Sequence, residues 1–562
     1  MSENLLYFGD NLDILRQHIP NESVDLIYLD PPFNSNRDYN VLYKEPTGLE
    51  ADAQIRAFGD TWRWTMETER AFDDLGQVAP PRLVELMNGF VAVLGRNDLT
   101  AYLVMLALRL VELHRVLKPN GTLFLHCDPT AGHYLKIALD CIFGKDKMIN
   151  QITWKRSSAH SDARQGAKHM GRITDLIFWY AKGDTWTHNV EYMPYDESYV
   201  RQFYRYVEEG TGRRYRLDNL TGPGGERKGN PQYEVLGVTR YWRYSKEKMD
   251  QLIAQGRVVQ TRPGTVPAYK RYLDEMPGVP VQDIWTDVLP VQSQSKEALG
   301  YPTQKPIALL KRIVAMASNP GDTILDPFCG CGTTIAAAEM LGNRRWIGID
   351  ITHLAISLIR SRLSDMFPNC RYKVMGEPTT ISGARELALN NRHQFEWWAI
   401  SLVGARPAGG EAKKGADTGI DGVLFFPDPK TKKQTKVVVQ VKSGKVGAKE
   451  VRDFRGVIER EKAPIGLFLT LENPTAPMST EASSMGLYKA QIMGMERSYP
   501  RLQILTIQGL LERTERPDLP LGASAALKTA EKFQQKPQDF MTDMFTNSIP
   551  DDEEPGDDSE PE

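Results

Sequence analysis

Short apolar runs alternate with amphipathic stretches along the first part of the chain. The run "SVDLIYLD" suits a buried strand, residues 99–117 carry apolar positions at helical spacing, and "PNGTLFLHCD" reads as a turn feeding another strand. Alternation of this kind predicts an α/β fold with a parallel sheet and helices on its faces. From about 152 to 294 the pattern breaks into irregular, glycine-rich sequence in which rings interleave with cations, as in "RQFYRYVEEGTGRRYRL" and "TRYWRYSKEK". After "YPTQKP" the alternation resumes with a helix over 307–317, the turn "NPGD", the strand "TILD", a glycine loop, a helix over 333–341 and the strand "RWIGID". A third region, 383–513, has helices near 392–403 and 448–460 and strands around "GIDGVLFF", "TKVVVQVKSG" and "IGLFLTL".

A chain of 562 residues is too long for one ordinary core, and these shifts divide it into 1–151, 152–294, 295–375, 383–513 and a tail, 514–562. The formal charge of −3 becomes +5 once the last twelve residues, "DDEEPGDDSEPE" with eight acids, are set aside. The folded body is mildly basic. The tail is expected to be solvated and disordered, with a DNA-mimicking or partner-binding role as the alternative. Five cysteines are too few for a disulfide framework, and the start "MSENLLYFGD" lacks a signal-peptide pattern, so the expected location is the cytoplasm. No apolar run approaches the ~20 residues that span a bilayer. There is no GxxxxGK[ST] phosphate loop and no internal repeat. The basic, aromatic middle suits a surface that follows phosphates and stacks on bases; a small aromatic core would produce the same composition.

Candidate chemistry gathers first in "DTILDPFCGCGTTIAAAEMLGNRRWIGID", where a strand ends in Asp326, a tight loop carries Gly330 and Gly332, a helix follows, and a second strand ends in Asp350. Glycine lets the backbone approach a ligand, the helix begins with unpaired N–H groups, and an acid ending the next strand is placed to bond ribose hydroxyls. A nucleoside site is expected. Cys329 and Cys331, with no nearby His or Cys, do not make a four-ligand zinc site. A second feature is "VDLIYLDPPFNSN", in which an apolar run ends in an acid, two prolines and a ring.

"LDPPF" at 29–33 and "LDPFCGCGTT" at 325–334 resemble the catalytic and cofactor motifs of S-adenosylmethionine-dependent DNA amino-methyltransferases. Their order, with the variable basic region between them, is that of the family's beta class, and "FLHCDPTAGHYLK" and "NQITWKR" further resemble the modification subunits of type III restriction systems. The resemblance covers roughly residues 1–370. It implies a Rossmann-like methyltransferase sheet with an inserted target-recognition region over 152–294, and double-stranded DNA as substrate. It also implies a cofactor site of Asp326, Pro327, Phe328, Gly330, Gly332, Thr333, Asp350 and Lys305. The chemistry accounts for the residue types. A target amine has its lone pair delocalised into the base, which must first leave the duplex. The Asp30 side chain and the Pro31 carbonyl can accept its hydrogens, Pro31 and Pro32 hold those acceptors in place, and Phe33 offers a stacking face. Adenine-N6 members of the family usually begin the motif with Asp and cytosine-N4 members with Ser, so Asp30 favours adenine.

The stretch "FEWWAISLVGARPAGGEAKKGADTGIDGVLFF", followed by "VVVQVKSG", resembles the Mrr-like branch of the PD-(D/E)XK nucleases. It implies a C-terminal α/β endonuclease domain with Glu396, Asp421, Gln440 and Lys442 in its site. Mg²⁺ would be held by Asp421 and the Gln440 oxygen, and Lys442 would stand beside the attacking water. Strand alternation puts Gln440 and Lys442 on one face. Gln440 departs from the Glu of many relatives, which leaves open an inactive DNA-binding domain. The whole reads as a fused modification and restriction protein. A solitary methyltransferase and a non-catalytic, cofactor-sensing DNA binder are the alternatives, and a homodimer or other defence-system subunits are the partners left open.

Overall fold

The structure is a computed structural model that describes residues 3–32, 63–157, 170–292, 303–408, 419–427, 434–492 and 495–520, together with 168, 295, 297 and 299. Nine strands form one sheet in the order Ile284–Trp285, Met148–Lys155, Thr174–Ala181, Leu117–Cys127, Val24–Leu29, Thr323–Asp326, Arg345–Asp350, Asn4–Phe8 and Tyr372–Met375. Thr174–Ala181 runs antiparallel to both neighbours, and every other pairing is parallel. Strands covered by helices on both faces must be apolar on both. Val24–Leu29 follows that rule, with every residue except Asp25 buried.

The strand order fixes where a ligand can enter. From Val24–Leu29 the chain builds outward to Leu117–Cys127 on one side, whereas Thr323–Asp326, Arg345–Asp350 and Asn4–Phe8 lie on the other. The crevice beyond the carboxyl ends of Val24–Leu29 and Thr323–Asp326 is therefore the topological switch point, where α/β sheets bind ligands. Leu325 pairs with Ile27, which brings Asp326 level with Tyr28 and one step short of Leu29 and Asp30.

The helices expected over 307–317, 333–341 and 448–460 form as Ile307–Ala317, Thr333–Leu341 and Ala448–Arg460. The inserted unit is smaller than the sequence texture suggests. Its compact body is Val190–Gln282, because Met148–Lys155 and Thr174–Ala181, inside or overlapping the expected 152–294 segment, are strands of the large sheet. Taken by itself, that body holds a four-stranded sheet and a small core of Leu220, Val235, Trp242 and Met249.

The third region has a five-stranded sheet ordered Arg406–Pro407, Gly422–Pro427, Gln434–Lys442, Ile465–Thr470 and Leu502–Thr506. Val437, Val439 and Val441 pack with Phe395 and Trp398 of the helix Arg392–Leu402. Val438 packs on the other face with Val451 and Phe454 of Ala448–Arg460. Among the described residues no helix is long and apolar enough to cross a membrane.

Candidate active sites

Asp30 follows the last residue of Val24–Leu29 at the switch point. Its Oδ2 accepts from the Lys305 ammonium, and its Oδ1 is buried with no hydrogen-bond partner among the described residues. Lys305, expected among the cofactor residues, thus has its charged end on the acid of the other motif. Pro31 is buried and Pro32 half-buried beside it. Phe33 lies outside the described residues.

The glycine loop is built on two buried carboxylates. Asp326 Oδ2 accepts from Thr334 Oγ1 at 2.5 Å and Oδ1 from the Phe328 N–H at 3.1 Å, so this acid closes its own loop onto the following helix. Asp350 Oδ2 accepts from the Gly330 N–H at 2.9 Å, and Oδ1 from the Thr352 N–H and O–H at 2.9 and 2.8 Å. Gly332 has φ +74°, and a Cβ there would stand 2.7 Å from Ile359 Cγ1, so both conformation and space require glycine. Thr333 Oγ1 donates to the Lys305 carbonyl at 3.3 Å, joining the loop to the segment that carries the Asp30 partner. Burial pushes Asp326 up to about 7, with the charges of Asp30 and Asp350 adding to it. Burial also lifts Asp350, to about 6.

One support was missed in the sequence. Asn11 Nδ2 donates to the Pro327 carbonyl at 2.8 Å, while the buried Arg109 donates to Asn11 Oδ1 at 2.5 Å and to both Asp10 oxygens. Asp10 also caps the helix Asn11–His18 through the Leu12 N–H. An acid directly before the first amphipathic turn, in "FGDNLDIL", is the signal that could have found it.

In the third region the Val441 N–H donates to Asp421 Oδ2 at 2.6 Å, and Gln440 Nε2 donates to the Gly419 carbonyl at 3.0 Å. Asp421, Gln440 and the backbone between Gln440 and Lys442 are therefore brought together. Gln440 lies on the Val438 face, and alternation puts Lys442 there too. Glu396 belongs to the helix that covers the opposite face, and its carboxylate pairs with Arg392 at 2.9 Å and His393 at 3.4 Å. Burial acts to raise its pKa, but those two partners outweigh it and hold the carboxyl below the usual range.

The cations of the insertion are largely committed to one another's acids. Arg213 pairs with Asp274 at 2.8 Å and Glu275 at 2.7 Å and lies 3.9 Å over the Tyr272 ring; Arg257 shares Glu275, and Lys270 pairs with Glu208. Arg213 is thus a structural pillar of this unit, whereas the adjacent Arg214 is exposed.

Residues 24–361 match the family described as DNA methylase, and residues 390–490 match the one described as restriction endonuclease of the Mrr catalytic type. The chain belongs to the N6/N4 DNA methylase family and carries an Mrr-like restriction-endonuclease domain. It is 27% identical over 368 residues to the type II methyltransferase M.EcaI of Enterobacter cloacae, covering 65% of this chain and 70% of that protein. It is 28% identical over 356 residues to the Mod subunit of the type III restriction-modification enzyme StyLTI of Salmonella typhimurium, covering 60% of this chain and 50% of that one. The DNA adenine methyltransferase YhdJ of Escherichia coli K12 is 26% identical over 356 residues, with 63% and 81% covered.

Both sites suit the groups these families imply. Two buried carboxylates, each costly to ionise in isolation, gain from a ligand that brings positive charge and hydroxyl donors. Asp421 and the Gln440 amide supply the hard oxygen donors that Mg²⁺ takes.

Proposed function

We propose that the chain methylates the N6 amine of adenine in double-stranded DNA, using S-adenosyl-L-methionine, and that its third domain is a metal-dependent endonuclease of a restriction-modification system. The observation that carries this reading is Asp30 at the switch point, with one oxygen fixed by Lys305 and the other buried and unpartnered. S-adenosyl-L-methionine, when bound, supplies an electrophilic sulfonium methyl. Asp326, Asp350 and the loop they hold would bind it, while Asp30 Oδ1 and the Pro31 carbonyl accept the N–H groups of the target amine. That localises the nitrogen lone pair. Placing the amine in line with the methyl supplies much of the remaining acceleration. Phe33 would stack on the flipped base. The leading Asp of the motif and the adenine named for YhdJ support adenine over cytosine. Sequencing the DNA of a host expressing the protein, with modified bases identified, tests this: N6-methyladenine at a fixed site is expected, and N4-methylcytosine instead would overturn the choice of base.

Cofactor affinity is expected to depend on pH. In the ligand-free chain Asp326 titrates at about 7 and Asp350 at about 6, and a cationic ligand favours the ionised forms. Below those values binding must displace protons. Affinity measured by calorimetry should therefore rise from about pH 5 to about pH 8, on the order of 10²-fold, and a flat profile would count against both acids as ligand contacts.

The insertion would bind DNA through cations that are not tied up internally. Arg214→Ala is expected to reduce the salt slope of DNA binding by about one. Arg213→Ala should instead lower the thermal stability of the insertion. Binding measured over a salt series, beside melting curves, separates the two.

A second reading, in which the third domain grips DNA without cutting it, is favoured by the neutral Gln440 and by the lack, among the described residues, of any cluster of three His, Cys, Asp or Glu suited to a metal.

A further inference from the structure

Behind Asp30 lies a buried chain of polar side chains that the scheme above does not use. The Tyr28 hydroxyl stands 2.9 Å from His126 Nδ1, and His126 Nε2 stands 3.2 Å from Asp175 Oδ2. Arg156 is 3.2 Å from the other Asp175 oxygen. Tyr28, His126 and Asp175 are all at most 2% exposed and come from three neighbouring strands, Val24–Leu29, Leu117–Cys127 and Thr174–Ala181. Tyr28 pairs with Phe124, so His126 sits two residues further on, level with Asp30 and on the same face.

The order of the partners fixes the proton positions. A carboxylate can only accept, so Nε2 of His126 carries the hydrogen toward Asp175, and Nδ1 is left to accept from the Tyr28 O–H. Burial pushes Asp175 up, yet His126 and Arg156 outweigh it, which keeps this acid ionised. Trp154 closes the remaining side of the imidazole edge-on, 5.6 Å between centroids. The charged groups around the ring are thus Asp175 with Arg156 on one side and Asp30 with Lys305 at the strand end. Burying three polar groups to this depth is costly unless each is satisfied, and a strand buried on both faces would be served as well by Phe and Leu.

We propose that Tyr28, His126 and Asp175 form the proton outlet of the methyl-transfer site. This rests on the methyltransferase reading above. As the bond from nitrogen to methyl forms and the sulfur–methyl bond breaks, the amine nitrogen turns cationic and must lose one N–H proton. The Tyr28 oxygen takes that proton, directly or through one water, while its own hydroxyl proton passes to His126 Nδ1. The imidazolium that results is stabilised by Asp175 and returns its proton to solvent after the product leaves. Tyr28 follows the pattern of a hydroxyl coupled to a histidine and an acid. The charges of Asp30 and Asp326 both raise the phenol, so it lies within the field of both motifs.

The test uses the full chain, with Tyr28→Phe, which keeps the ring, and Asp175→Asn, which keeps the shape. Cofactor binding by calorimetry should match the wild type in both. Single-turnover methyl transfer should fall roughly 10²-fold, the low end for one general base. In the wild type the rate should rise with pH through the imidazole titration, then level off, and slow in D₂O; Tyr28→Phe should lose both dependences. Nitrogen NMR of the wild type should show His126 as the Nε2–H tautomer. Normal transfer by Tyr28→Phe with pH and isotope effects unchanged, or an Nδ1–H tautomer, would overturn the outlet. If the wild type binds cofactor but transfers no methyl to any DNA, the methyltransferase reading fails, and the outlet with it, whatever the tautomer.

Discussion

Asp30→Ala is expected to lower methyl transfer on the order of 10³-fold, as loss of one preorganised group at the reacting centre can, while cofactor binding stays close to that of the wild type. The separation of effects follows from the geometry. Asp30 Oδ1 is buried and unpartnered, while Asp326 and Asp350 hold the glycine loop through bonds that do not involve Asp30. Asp30→Asn should fall less, since its carbonyl can still accept one amine hydrogen, although the charge opposite Lys305 is gone. Transfer of a labelled methyl under single-turnover conditions, beside calorimetric cofactor binding, checks both variants.

Asp421→Ala and Lys442→Ala should each abolish Mg²⁺- or Mn²⁺-dependent cleavage of DNA by the full chain and leave methylation unaffected. Asp421 supplies the charged oxygen, held against Gln434–Lys442 by the Val441 N–H. Lys442, two residues beyond Gln440 on the same face, supplies the cation beside the attacking water. Gln440→Glu is the finer probe. It gives up the bond to the Gly419 carbonyl but adds a charged ligand, so the Mg²⁺ concentration at half-maximal cleavage should fall. Cleavage that persists without both Asp421 and Lys442 would remove this site from consideration. A wild type that cuts DNA in no methylation state would favour the binding-module reading.

What the sequence disclosed was local. "LDPPF" and "LDPFCGCGTT" each lie on one strand end and its loop, so their spacing carried both the element and the chemistry, and the flanking helices came out within a residue or two. What it did not disclose depends on contacts between distant segments. Tyr28, His126 and Asp175 are separated by 98 and 49 residues and meet only because their strands are neighbours. Lys305 reaches Asp30 across 275 positions, so its placement with the cofactor residues reflected its place in the chain rather than its partner. The insertion misled in another way. Cations beside tyrosines read as a DNA surface, but a sequence does not show that Arg213, Arg257 and Lys270 are answered by Asp274, Glu275 and Glu208. Strand Thr174–Ala181 was absorbed into that texture because the irregular sequence around it hid an apolar run that completes the large sheet.

The most direct measurement is to incubate the purified chain with mixed double-stranded DNA and S-adenosyl-L-methionine carrying a labelled methyl, then to digest the DNA and identify the labelled nucleoside. Label on the N6 of adenine, present with the wild type and absent with Asp30→Ala, is the expected result. Label on cytosine, or label on adenine that persists at the wild-type rate in Asp30→Ala, would contradict the assignment of Asp30 as the acceptor for an adenine amine.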